Sequence, residues 1–151
     1  MSHLNFKKNY KYFREIEHTA DVGLEISGDT LPLLFANAAF GFYHLLFETM
    51  EVPAVCVKEI VLQEQTLNDL FVSWLSELNY LLSVNQFVMS EIKVLSVQKS
   101  DEIYIFFAEL AGNQDISYLR EAKIEIKAVT YHQLKIEQSQ SGFHTRIFFD
   151  I

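Results

Sequence analysis

The chain has 151 residues, half of them hydrophobic, with a net charge of −8 and an isoelectric point near 5.0. This length suits one domain with a full core, and the hydrophobic content argues against disorder. The acidic surplus argues against direct binding of RNA or DNA, because neutralising phosphates requires a basic face. It fits a protein that meets a basic partner or holds a cation.

The chain start predicts the compartment. Residues 1–9 form a polar N-terminal extension without the apolar core of a signal peptide, and no apolar run reaches the roughly 18 residues of a membrane span. Cys56 is the single cysteine and cannot form an internal disulfide. Its neighbours are valines, so we expect a small buried hydrophobe in a reducing compartment. These features predict a cytoplasmic protein whose single domain covers residues 10–151.

The first elements are two strands followed by a helix. Residues 10–17 and 23–27 are the predicted strands, joined by a connection that carries polar groups. Asp29 or Thr30 is expected to cap the helix, which should end near Glu48. The apolar residues with helical spacing are Leu31, Leu34, Phe35, Ala38, Phe42, Leu45 and Leu46.

A further strand and a second helix follow. The alternation of the predicted strand 55–63 slips near Glu59 and Ile60, which indicates a bulge or burial on both sides. Thr66 is expected to cap the second helix, with Asp69 at the capping-box position. The apolar face of this helix consists of Leu67, Leu70, Phe71, Trp74, Leu75, Leu78, Leu81 and Leu82.

The second half of the chain is predicted to be mostly strands. Residues 88–97 and 102–110 should form a hairpin, and residues 111–120 a polar loop. The remaining predicted strands are 123–131, 132–138 and 143–151, the last two joined by a hairpin loop at 139–142. The order of elements predicts an α+β class: one domain with a largely antiparallel sheet and two amphipathic helices packed on one face.

The C-terminal strand ends in two negative groups. Alternation places His144, Arg146, Phe148 and Asp150 on one face, and the α-carboxylate of Ile151 follows directly. Two carboxylates this close repel unless a positive charge lies between them. Asp21 would complete an all-oxygen site that suits calcium, magnesium or manganese. The alternative is that Asp150 belongs to a solvated chain end.

Lys127 and two histidines are the other candidate functional residues. Lys127 is expected within a strand, where it either pairs with Glu125 or presents its charge to a partner's phosphate or carboxylate. His18 precedes Asp21 by three positions, and His132 lies at a strand junction. Isolated histidines of this kind are more often structural hydrogen-bonding residues than catalysts.

Several site classes lack support in the sequence. Neither histidine has a Ser or Cys partner at a nucleophile spacing, and no paired Cys and His residues indicate structural zinc. There is no glycine-rich phosphate loop. A stand-alone metal-dependent hydrolase is therefore the weakest reading, because no general base or nucleophile can be assigned.

Three motifs together resemble the archease family. They are E-H-T-A-D-V-G at 17–23, E-I-K-A-V-T-Y-H at 125–132 and F-F-D-I at 148–151, in the order and spacing of that family. D-T-L before the first helix and the Phe71, Trp74, Leu75 and Leu78 pattern of the second are also similar. The likeness covers nearly the whole chain but leaves out the extension through Asn9.

The resemblance implies a small α+β protein, not itself an enzyme, that activates the GTP-dependent tRNA-splicing RNA ligase. Such a protein promotes guanylylation of the ligase and its repeated turnover in tRNA processing. The family's divalent-metal site maps onto Asp21, Asp150 and Ile151, with calcium the metal most often expected and manganese or magnesium possible. Its important lysine maps onto Lys127. No direct contact with nucleic acid or membrane is implied.

One departure from the family pattern concerns the loop before the second motif. Residues 118–121 read Tyr-Leu-Arg-Glu, without the histidine that family members often carry there.

The alternative function, from a different class, is a chaperone-like adaptor for RNA-processing proteins with a structural metal site.

Overall fold

The computed structural model describes residues 4–5, 12–17, 21–47 and 51–151. The α+β class predicted from the sequence is confirmed. The strands are β1 (Leu4–Asn5), β2 (Phe13–Glu17), β3 (Asp21–Gly28), β4 (Cys56–Glu64), β5 (Val88–Ser100), β6 (Ile103–Asn113), β7 (Ala128–Val129), β8 (Glu137–Ser139) and β9 (Gly142–Asp150). The helices are α1 (Leu31–Phe47), α2 (Leu67–Ser83) and the short α3 (Ile116–Leu119).

The strands are divided between two antiparallel sheets, whereas the sequence pattern predicted one. Sheet I has the order β1-β5-β6-β4, and sheet II the order β2-β3-β9-β7, with β8 also paired to β9. Sheet II joins strands from the two ends of the chain, because β3 pairs with β9 from Asp21 opposite Asp150 to Gly28 opposite Phe143. This pairing brings the first and last motifs of the sequence together.

Helix α1 lies between the two sheets. It packs against β2 and β3 of sheet II and also against β5 of sheet I and α2. Burial therefore extends around the helix, whereas an amphipathic helix on one sheet face would keep a polar side. The buried residues outside the predicted apolar stripe are Ala36, Asn37, Ala39, Phe40, Gly41, Tyr43 and Phe47.

The helix starts follow the predicted capping. The Leu33 N–H lies 3.3 Å from the Thr30 hydroxyl oxygen, and the Asp69 N–H donates to the Thr66 hydroxyl at 3.0 Å. These contacts satisfy backbone donors that the first helical turn leaves open. The indole N–H of Trp74 donates to the Phe35 carbonyl at 2.8 Å, which ties α2 to α1. Helix α1 is described to Phe47, and Glu48 lies outside the described residues.

Strand β4 is regular, so the irregularity predicted near Glu59 and Ile60 is wrong. Its pairing with β6 is unbroken from Cys56 to Glu64, and Val57 and Val61 are exposed. The bulges lie in β5, where the register shifts between Met89 and Glu91 and between Ile92 and Val94. Cys56 is half-buried, which makes it less enclosed than expected.

Several boundaries in the second half also differ from the predictions. Strand β6 continues to Asn113 and α3 follows, so residues 111–120 are not one loop. A strand was predicted at 123–131, but only Ala128–Val129 is paired, as β7. Another was predicted at 132–138, but only residues 137 and 138 of it are paired, as part of β8. The alternating burial that predicted a strand is present through Ile126, but strand pairing needs a neighbouring strand as well, and sheet II pairs this segment only at Ala128 and Val129.

The polar connection between β2 and β3 is shorter than predicted. Strand β3 begins at Asp21, two positions before the expected start, while residues 10, 11 and 18–20 lie outside the described part of the chain. Across the described helices, none has both the length and the apolar character required to cross a membrane.

Candidate metal centre

Asp21 and Asp150 lie opposite each other at one end of β3 and β9, the two central strands of sheet II. They are the first residue of β3 and the last of β9, and they form a cross-strand pair. Residues paired in this way point to the same face, with Cβ atoms roughly 4.5–5.5 Å apart. Asp150 is exposed, whereas Asp21 is half-buried and its Oδ1 atom is fully enclosed. The arrangement brings two carboxylates within reach of one cation.

Ile151 lies beside the same pair. Ile151 follows β9 directly and is 44% exposed. Together with Asp21 it lines a cavity of about 390 Å³. Its α-carboxylate adds a third acidic group at this end of the sheet. Glu15 and Glu17 also line the cavity, as does Lys123, whose ammonium group offsets part of the negative charge.

Glu15 and Glu17 were not predicted as site residues. Both lie on β2, two positions apart, so strand alternation directs them to the same side. The signal was present as the alternating E-I-E run of residues 15–17. In the β2–β3 register they lie opposite Leu24 and Val22, on the other face of sheet II from Asp21, and they share with Asp21 the cavity near the end of the strands. That cavity is formed by tertiary packing and could not be read from the run itself.

The backbone of Lys127 is bonded directly to the acidic end of β9. Its N–H donates to the Asp150 carbonyl at 2.8 Å, and its side chain is exposed. The preceding residue, Ile126, is buried, and its carbonyl accepts from the Asn79 amide of α2 at 2.9 Å. Lys127 therefore precedes β7 and does not lie within a strand as predicted. These two hydrogen bonds hold its backbone next to the aspartate pair.

His132 lies against the strand that carries Asp150. Its ring centroid is 5.5 Å from that of Phe148, and its backbone N–H donates to the Thr130 hydroxyl at 3.3 Å. The side chain is exposed in a turn rather than at the start of a strand. His132 thus borders the face of sheet II that carries the aspartates. His18 lies outside the described residues.

Phe148 is accommodated by Gly23. The two residues are paired across β3 and β9, and a Cβ atom added to Gly23 would lie 2.6 Å from the Cε1 atom of Phe148. Real Cβ contacts are never this short, so glycine lets the aromatic ring lie over β3. The glycine of the first motif and the phenylalanine of the last are therefore a packed pair.

The donor set at this end of the sheet fits a hard divalent cation. Carboxylate oxygens are the ligands that calcium, magnesium and manganese prefer. Among the described residues, no three His, Cys, Asp or Glu side chains are grouped closely enough to form a metal site by themselves. The predicted set has two such side chains, and its third member is the main-chain carboxylate of Ile151.

A second charged cluster lies farther along the same face of sheet II and was not predicted. Glu25 accepts from the guanidinium of Arg14, and its other oxygen accepts from Arg146 Nη2 at 3.0 Å and Nε at 3.2 Å. The hydrogen bond from Arg14 lowers the pKa of Glu25; partial burial opposes this, and Arg146 adds to the lowering. Glu25 therefore stays ionised to lower pH than an ordinary glutamate does.

A third interaction connects the segment after β7 with α2. The Tyr131 hydroxyl donates to the Asp69 carboxylate at 2.7 Å. This hydrogen bond, with desolvation and the nearby carboxylate charges, raises the pKa of Tyr131 to about 12. The segment 126–131 is thus held to α2 at both of its ends.

Comparison with known proteins shows similarity over nearly the whole chain. Residues 13–151 match the family described as Archease protein family (MTH1598/TM1083). The chain is 34% identical over 144 residues to protein archease of Methanosarcina acetivorans, covering 95% of this chain and 97% of that one. It is 30% identical over 132 residues to protein archease of Pyrococcus furiosus, covering 87% and 92%.

Two solved structures share the fold. The solution structure of protein 1598 of Methanobacterium thermoautotrophicum matches with a TM-score of 0.74 at 22% identity, covering 93% of this chain and 99% of that one. The crystal structure of an archease of Thermotoga maritima, described as a possible chaperone, matches with a TM-score of 0.55 at 23% identity, covering 91% and 96%. At these identities the likeness concerns the fold alone.

Proposed function

Because the chain belongs to the archease family, we propose that it activates a GTP-dependent RNA ligase that splices tRNA in the cytoplasm. In this role it promotes guanylylation of the ligase and its multiple turnover, and it catalyses no reaction of its own. The observation that carries the proposal is the cross-strand pairing of Asp21 with Asp150, together with the cavity that Ile151 lines beside Asp21. These groups form an acidic tip, defined here as Asp21, Asp150 and the Ile151 carboxylate.

The acidic tip would hold one divalent cation. Asp21 is half-buried with one enclosed carboxylate oxygen, so it would supply the inner ligand, while exposed Asp150 and Ile151 would supply ligands at the solvent side. When bound, the cation supplies positive charge that stabilises phosphate oxygens and carboxylates at the partner's active site. Calcium, manganese and magnesium all suit this oxygen donor set.

Lys127 would act from beside the tip. Its backbone is fixed to Asp150, and its exposed ammonium group is free to turn toward a partner. A lysine in this position suits a phosphate or a carboxylate of the ligase complex, because it presents a compact positive charge on a flexible stem. His132, which packs against Phe148, borders the same surface and adds a hydrogen-bonding group.

The test is multiple-turnover RNA ligation by the purified cognate ligase, with and without this protein. We expect D21N and D150N each to reduce the stimulation at least about tenfold, the lower range for lost metal-site interactions. Asp101 lies in the turn between β5 and β6, so D101N is the matched control and should stimulate fully. Wild-type stimulation by both tip variants would refute the proposal.

A chaperone-like adaptor is the second candidate, favoured by the description of the Thermotoga maritima relative as a possible chaperone. In that case the cation would be structural and the acidic tip would not act on the ligase. A chain that lacks Asp150 and Ile151 separates the two functions. Retained stimulation by this truncated chain would support the adaptor, whereas loss of stimulation with unchanged ligase binding supports the activator.

A further inference from the structure

A large cleft lies at the far end of sheet II from the acidic tip. Its volume is about 730 Å³, which is within the roughly 300–1,000 Å³ typical of ligand sites. Strands β2, β3 and β9 and the segment 133–137 contribute its walls. Glu25, in this cleft, is four positions along β3 from Asp21, a separation of about 13 Å for an extended strand. The cleft and the tip are therefore separate sites on one sheet.

The charge of the cleft is opposite to that of the whole chain. Its lining contains three of the 12 Lys and Arg residues but two of the 20 Asp and Glu residues. The three cations are Arg14, Lys135 and Arg146, and His144 adds a fourth basic group. The sequence-based expectation of no nucleic acid binding rests on the net charge of the whole chain. A local group of cations can bind phosphate even when the net charge is negative.

Two guanidinium groups are held in place for an anion. One oxygen of Glu25 accepts from Arg14 and the other from Arg146, so a single carboxylate orients both arginines. Within the described part of the chain, no other acceptor is bonded to either guanidinium, and the two side chains are 74% and 55% exposed. Remaining N–H donors are therefore available to the cleft, and planar donor pairs of this kind match phosphate oxygens.

A third cation lies on the opposite wall. Lys135 is 4.0 Å from Glu137, and the same carboxylate is 3.6 Å from the His144 ring. Thr145 fixes this wall, because its hydroxyl donates to the Lys135 carbonyl at 2.8 Å. The Lys135 side chain is 79% exposed, and its flexible stem leaves the ammonium group available to an anion in the cleft.

We propose that this cleft binds a phosphate-bearing ligand through Arg14, Arg146 and Lys135. The phosphate chemistry is common to a free nucleotide or pyrophosphate and to the 5′ end of an RNA strand, and the cleft is large enough for more than one phosphate group. Binding requires neither the acidic tip nor a bound cation, so this proposal stands or falls independently of the ligase-activator role.

The experiment is a titration of the ¹⁵N-labelled full chain, followed by NMR, at low salt. One arm uses inorganic pyrophosphate and the other a short single-stranded RNA with a 5′-phosphate. We expect saturable shifts at the amides of residues 14, 25 and 146 in at least one arm. In the RNA arm, two or three phosphate contacts should give a slope of about −1.4 to −2 in log affinity against log salt.

The R14Q/R146Q variant should bind at least about tenfold more weakly, because it removes the charge-assisted hydrogen bonds. Arg120 is an exposed arginine outside the cleft, so R120Q is the matched control and should bind as the wild type does. K135Q, which leaves the Arg14–Glu25–Arg146 contacts in place, tests the site without disturbing the sheet and should weaken binding severalfold.

Two results would overturn the proposal. The first is the absence of saturable shifts up to about 10 mM of either probe. Any dissociation constant would then exceed the roughly millimolar value expected of a reversible site. The second is equal affinity of R14Q/R146Q, K135Q and R120Q, which would show that the cations serve only as a solvated ion-pair network. Saturation by pyrophosphate alone would identify a small phosphate ligand, and saturation by RNA alone would identify a strand end.

Discussion

At the scale of single residues, the acidic tip contains a like-charge pair that is fixed by strand register. Asp21 and Asp150 are opposite each other, and like charges in this position destabilise a sheet unless a cation reduces their repulsion. Lys123 lines the neighbouring cavity and contributes one positive group. Each aspartate would therefore serve ligand binding at some expense to the stability of the free protein.

Glu25 shows the reverse situation, with two cations on one carboxylate. Its lowered pKa means that the folded state favours the ionised form more than the unfolded state does. We expect E25Q to lower the free energy of unfolding at neutral pH by less than about 1 kcal/mol, because the three side chains are partly exposed and screened. Urea unfolding at a series of pH values measures this difference.

The pH dependence of this contribution has a definite sign. A depressed carboxyl pKa stabilises above the ordinary glutamate value of about 4.3 and ceases to do so as the pH falls through the folded-state value. The difference between wild type and E25Q should therefore be constant from neutral pH down to about 4.3, shrink as the pH falls further, and disappear below the folded-state pKa of Glu25. E102Q, in the turn before β6, is the control and should match wild type at neutral pH. A difference that grows on acidification would contradict the assignment.

At the scale of secondary-structure elements, β3 and β9 are fitted to each other at Gly23 and Phe148. The added Cβ in G23A would meet the Phe148 ring at 2.6 Å and the Ile147 carbonyl at 3.2 Å. One side of the clash is backbone, so the strands cannot relax completely. We expect a loss of about 1–3 kcal/mol in the free energy of unfolding, measured by urea denaturation.

The control for G23A is on the same face of the same strand. Ser27 is half-buried near the other end of β3, and S27A should change the free energy of unfolding by no more than about 0.5 kcal/mol. If G23A were as stable as S27A, the Phe148 ring would have another position available, and the close approach would not limit the pairing of β3 with β9.

The short strand β7 shows how an element can be positioned with little pairing of its own. It has two residues, Ala128 and Val129, opposite Asp150 and Phe149. Its place is fixed instead by contacts before and after it, from the Lys127 N–H to Asp150 and from the Tyr131 hydroxyl to Asp69. These anchors explain why Lys127 lies beside the acidic tip although it is not in a strand.

At the scale of the whole molecule, binding at the acidic tip is linked to global stability, because β3 and β9 form the centre of sheet II. A cation that binds the folded chain alone should raise the free energy of unfolding by about 2.7 kcal/mol at one hundred times its dissociation constant. We therefore expect calcium or manganese to stabilise the wild type in urea or thermal unfolding. Excess chelator should abolish this stabilisation.

The stability of the variant D21N/D150N should differ from that of the wild type both in chelator and with the cation. In chelator it should be at least as stable as the wild type, because the repulsion between the carboxylates is removed. With calcium or manganese it should gain nothing, while D101N should gain as much as the wild type. Equal stabilisation of the double variant by the cation would place the metal site elsewhere.

The sequence by itself determined the local features of this protein. Helical periodicity and the hydroxyl of Thr66 defined α2, and the alternation of β9 separated buried Thr145 and Ile147 from exposed His144 and Arg146. The three motifs also singled out Asp21, Asp150 and Ile151 as candidate residues, each within its own motif. Each of these features depends on residues that are near in sequence, so spacing alone carries the information.

Tertiary structure alone decided which distant residues meet. The division into two sheets surrounds α1 with apolar contacts, and no local pattern distinguishes that arrangement from one sheet covered by two helices. Likewise, Arg146 reaches Glu25 across 121 positions of sequence, and Asp150 lies opposite Asp21 only in the observed register. Strand pairing depends on the packing of the whole core, because a shift of one residue would turn every side chain to the other face.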